Sequence, residues 1–77
     1  MGSVYLTRTE RKLIEAVRAG AHSHKAIARA MGRGVTLHTV QAHLYRIARK
    51  LGSFHPSSPP LIRVVLWATT EYESDSA

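Results

Sequence analysis

The stretch Thr36-Leu37-His38-Thr39-Val40-Gln41-Ala42-His43-Leu44-Tyr45-Arg46-Ile47-Ala48-Arg49-Lys50-Leu51-Gly52 decides the fold. Leu37, Val40, Leu44, Ile47 and Leu51 recur at alternating steps of three and four, the period of an α-helix with one buried stripe. Thr36 suits the N-cap, where a hydroxyl accepts from a first-turn amide. Gly52 suits the stop, because glycine takes the left-handed conformation cheaply. Away from the stripe lie His38, Gln41, Ala42, Tyr45, Arg46 and Arg49. The helix predicted over 36–51 therefore has one side for packing and one rich in donors and positive charge, without a single acid.

Working outward, an earlier helix is signalled by a capping box, Thr7 with Glu10 three residues on, after apolar Leu6. Leu13, Ile14 and Val17 follow at helical spacing, and Gly20 ends the run. A shorter helix is capped by Ser23, carries Ile27, Ala28 and Met31 on its apolar side, and stops at Gly32. Gly32-Arg33-Gly34-Val35 is then a turn. Downstream, Ser53 to Pro60 (SFHPSSPP) is a loop, because its prolines and serines cannot sustain a helix. Residues 61–72 fit either a helix or, on the propensity of Val64 to Trp67, a strand. The helix is favoured: a proline starts it after a serine cap, Leu61, Val64, Val65 and Ala68 face inward, and Ile62, Leu66 and Trp67 lie on other faces. The expected fold is all-α, a small helix-turn-helix bundle of three to four helices over residues 1–72. The tail at 73–77, ESDSA, is polar and expected to be disordered.

The chain has 77 residues and no cysteine, so disulfides cannot support its small core. No apolar run approaches the roughly 18–20 residues a membrane helix needs, and the first residues lack a signal-peptide pattern. A cytoplasmic, non-membrane protein is expected. The net charge is +6, and its distribution is uneven. Between Ala16 and Thr70 there is no Asp or Glu, while Arg18, Lys25, Arg29, Arg33, Arg46, Arg49, Lys50 and Arg63 all fall there. An ordinary surface mixes its signs; a one-sign field suits a polyanion.

Two helices joined by a glycine-containing turn, the second with a polar face, form the helix-turn-helix pattern. In that geometry a cylinder about 10–12 Å wide enters a major groove of similar width, and its early residues meet base edges. The segments Leu6-Thr7-Arg8-Thr9-Glu10-Arg11, Ala19-Gly20, Ser23-His24-Lys25-Ala26-Ile27-Ala28, Thr39-Val40-Gln41-Ala42-His43-Leu44 and Ile47-Ala48-Arg49-Lys50-Leu51-Gly52 resemble the LuxR/GerE-type DNA-binding domain over residues 5 to 52. The resemblance implies four helices, the third reading double-stranded DNA and the fourth contributing to a homodimer through residues 61–72. It places base contacts on Gln41, Ala42 and Tyr45, and backbone contacts or support on Thr39, His43, Arg46 and Arg49. Lys25, Arg33 and His38 join the backbone-contacting set through their charge and polarity. Arg33-Gly34 is a two-residue insertion relative to the family turn, and the proline-rich loop is longer than usual.

No cofactor, metal or catalytic site is expected. The only Asp lies in the tail, and His22, His24, His38 and His43 have no cysteine or nearby acid to complete a zinc set. The competing reading is a small regulator that binds RNA polymerase or another protein, with Ile62, Leu66 and Trp67 as the partner or dimer surface.

Overall fold

The computed structural model describes residues 4–72, and the tail expected to be disordered at 73–77 lies outside them. Its elements are α1 (Arg8–Arg18), α2 (His24–Met31), α3 (Leu37–Lys50) and α4 (Pro60–Thr70), with no strand among the described residues. Residues 61–72 are thus helical through Thr70, and the strand alternative is set aside.

Local chemistry places each boundary. Thr7 caps α1 with a complete capping box: its hydroxyl accepts from the Glu10 amide at 3.2 Å, and its own amide donates to Glu10 Oε1 at 2.9 Å. Ser23 caps α2 by accepting from Ala26, and Thr36 caps α3 by accepting from Thr39, each at 3.1 Å. Between them the chain reverses through Gly32 and Gly34, whose φ values of +127° and +80° are conformations side-chain-bearing residues avoid. The expected serine cap on α4 is absent. Pro59 holds the N-cap position with no side-chain cap, and Pro60 begins the helix, where its missing amide costs nothing.

The helices enclose one core. Leu13, Ile14, Val17, Ile27, Val40, Leu44, Ile47 and Val64 are fully buried, each such side chain contributing about 1.5–3 kcal/mol. The α3 stripe differs from expectation at both edges. Leu37 is 51% exposed, because the glycine turn before it has few side chains to cover it. Ala48 is buried to 2%, its small size fitting it beside the stripe. On α4, Val64 and Ala68 are fully buried while Leu61 and Val65 sit at the margin. Trp67, expected on another face, is half-buried against the core and tilts onto Tyr72 with ring centroids 5.4 Å apart.

Two arginines tie the fourth helix in place. Arg18, at the end of α1, donates to the carbonyls of Ala68 and Tyr72 at 2.9 and 3.0 Å. Arg63 donates to the carbonyls of Gly52 and Phe54 at 2.7 and 3.0 Å, pinning the start of the proline loop. No described helix is long and apolar enough to cross a membrane.

Candidate nucleic-acid interface

The packing of α3 turns its polar face outward. Val40, Leu44, Ile47 and Leu51 point into the core, so helical geometry sends the residues between them to solvent. Gln41, Tyr45, Arg46, Arg49 and His38 are exposed, while Ala42, Thr39 and His43 are half-buried. Tyr45 is 57% exposed, and the Arg49 guanidinium carbon sits 5.9 Å from its ring centroid, one helical turn along. The Thr39 hydroxyl lies 3.0 Å from that of Thr36, which engages it in the cap. Lys25 on α2 and Arg33 in the turn are exposed.

The cations of the acid-free span divide into two groups. Arg18, Arg63 and Lys50 are committed within the fold, the last through an ion pair to Glu10 at 2.6 Å. Lys25, Arg29, Arg33, Arg46 and Arg49 are exposed and make no ion pair among the described residues. Within that span, the exposed basic residues without an ion pair among the described residues therefore belong to α2, the turn and α3.

Sequence reasoning missed Glu10. Its spacing marks it as a capping-box residue that also suits the helix dipole, yet Glu10 is 4% exposed and lines a groove with the last turns of α3. Burial pushes its pKa up, but the Lys50 hydrogen bond, the Thr7 hydrogen bonds and the Lys50 charge together hold it below 4.5. A carboxylate beside the α3 cations is thus kept ionised and covered. Only the long range of the Glu10–Lys50 contact hid it, since no local spacing links residues forty positions apart.

Two open grooves flank α3. One, of about 540 Å³, runs between the first turn of α1 and the last turns of α3, and is lined by Thr7, Thr9, Glu10, His43, Arg46, Arg49 and Lys50. The other, of about 370 Å³, is lined by His24, Gln41, Leu44, Tyr45, Pro59, Pro60 and Leu61. His24, Pro59 and Pro60 were not among the expected site residues, but they stand beside Gln41 and Tyr45. Among the histidines, His22 Nε2 donates to the Val17 carbonyl at 3.1 Å. No three His, Cys, Asp or Glu side chains converge among the described residues.

Of the expected partner surface on α4, Ile62 is 48% exposed, whereas Leu66 and Trp67 are half-buried. No protein-family model, no curated protein and no solved structure matches this chain. The LuxR/GerE resemblance rests on the motif residues alone.

Proposed function

We propose that this chain is a sequence-specific, cytoplasmic DNA-binding regulator of transcription that inserts α3 into the major groove. The observation that carries the reading is the outward face of α3: Gln41, Tyr45, Arg46 and Arg49 are exposed beside half-buried Ala42, and the face carries no acid of the helix itself. Gln41 can donate and accept in a bidentate pair with adenine, and Ala42 can touch a thymine methyl. Tyr45 reads a neighbouring edge, with Arg49 over its ring. Lys25, Arg33, His38, Thr39, His43, Arg46 and Arg49 dock on phosphates, releasing counterions, and so make affinity steeply salt-dependent. The resemblance to the LuxR/GerE domain supports the same assignment, with a homodimer through 61–72 setting half-site spacing.

The test is selection from a randomised duplex pool at moderate salt, with wild type and Gln41→Ala compared. An enriched motif for wild type that loses one position in Gln41→Ala supports base reading. Retention of the same motif by Gln41→Ala removes that role, and no binding at low salt defeats the DNA reading. A second reading, a small regulator bound to RNA polymerase, has the exposure of Ile62 in its favour; it predicts that Ile62→Glu, not Gln41→Ala, abolishes function.

A further inference from the structure

We propose that the groove between α1 and α3 seats one phosphodiester of the DNA backbone, making the first turn of α1 a second anchor for α3. The proposal rests on the DNA-binding reading and adds to it a site on an element outside the helix pair.

Three observations point to an anionic occupant. The groove holds about 540 Å³, ample for a phosphate group with its water. Arg46 and Arg49 line it from consecutive turns of α3, with His43 beside them, and Thr9 offers a hydroxyl from the facing wall. Both arginines are exposed and have no carboxylate partner among the described residues, so their donors are available to a ligand.

The one feature that opposes an anion is neutralised within the fold. Glu10 lies in the same groove, but its Oε1 is paired with Lys50 Nζ at 2.6 Å and its side chain is 5% exposed. Lys50 thus cancels the carboxylate, and the groove keeps the charge of Arg46 and Arg49. Because those arginines also border the base-reading face, a phosphate held here fixes the depth and rotation of α3 against the bases. Phosphate contacts position a protein while base contacts specify, and this groove supplies the former.

Thr9→Glu tests the site without threatening the fold, because an acid in the first turn of a helix is favoured by the helix dipole. Lys12→Glu, on the outward side of α1, makes a larger charge change and serves as the control. Binding of a fixed duplex is measured by fluorescence anisotropy across a salt series for all three proteins. The expected result is at least tenfold weaker binding for Thr9→Glu at moderate salt, a salt slope shallower by about one, and less than threefold loss for Lys12→Glu. Equal losses for the two variants would overturn the proposal. If wild type itself fails to bind any duplex, the DNA reading falls; amide shifts are then followed with inorganic phosphate. Shifts confined to Thr9, His43 and Arg46 would retain the groove as a phosphate site of another kind, and their absence would remove it.

Discussion

Replacing Lys50 by Met should destabilise the protein by roughly 2 kcal/mol, although Lys50 lies at the surface end of α3. The reason is what it leaves behind. Its ammonium lies 2.6 Å from Glu10 Oε1, and the two side chains are 34% and 5% exposed respectively. Stripping a partner from a fully buried ion pair costs about 3–5 kcal/mol, because the remaining charge is stranded. Here the lysine is itself one-third in water, so water can reach part of the carboxylate once the lysine is gone. That halves the penalty, and a domain of this size should lose about 8–16 °C in Tm. Glu10→Gln should cost less, about 1 kcal/mol or under, since glutamine can still serve the capping box and the solvated lysine can shed its partner.

The double variant separates the ion pair from the loss of a cation at the α3 C-terminus. Glu10→Gln in the Lys50→Met background should recover about 1 kcal/mol or more relative to additivity, as urea denaturation would read. The pH dependence follows from the lowered pKa of Glu10. Burial works against the charge, but Lys50 and Thr7 outweigh it, so the folded state binds this proton less readily than the unfolded chain. Its contribution is therefore complete well above the ordinary glutamate range and disappears as pH falls through the lower folded value. The stability difference between wild type and Glu10→Gln should shrink across that window. Additive single variants, or a Lys50→Met Tm within about 2 °C of wild type, would refute the reasoning.

Other perturbations probe separate parts of the molecule. Arg46→Gln and Arg49→Gln should each flatten the slope of log affinity against log salt by about 0.9, read from anisotropy titrations; unchanged slopes would take these residues off the phosphates. Arg63→Met removes donors to the carbonyls of Gly52 and Phe54 and should speed hydrogen exchange in residues 53–58, with about 1–2 kcal/mol lost on denaturation. Leu44→Ala, at a side chain 1% exposed, should cost about 2–5 kcal/mol, lowering the denaturation midpoint without altering which duplexes are selected.

The first three helices were legible because their signals are local. A hydroxyl before each run, an apolar period of three and four, and a glycine after it are properties of a few neighbouring residues. Thr7, Ser23 and Thr36 cap as expected, and Gly20, Gly32 and Gly52 adopt positive φ. The failures occur where the outcome depends on distant chain. Leu37 continues the apolar period but stays 51% exposed at the first turn of α3. The β-rich composition of Val64 to Trp67 is overruled by packing, since as a helix the segment buries Val64 and Ala68 and lets Arg18 bind the carbonyls at its end. Trp67, expected away from the core, packs against it and onto Tyr72, which lies beyond the helix.

The same distinction governs the site. A polar face on α3 follows from the 3.6-residue period once the buried stripe is known, so Gln41, Ala42, Tyr45, Arg46 and Arg49 could be grouped from spacing. The net charge of that region could not, because the acid-free span looks uniformly basic in sequence. In the folded chain Arg18 and Arg63 serve backbone carbonyls, and Lys50 is cancelled by an acid from outside the span. Of that span, the cations without an ion pair among the described residues are a smaller set: Lys25, Arg29, Arg33, Arg46 and Arg49. This division works in favour of a polyanion partner. The cations used for structure would contribute little to counterion release, and those of the acid-free span that remain sit on the two helices and the turn that a major-groove reader must present.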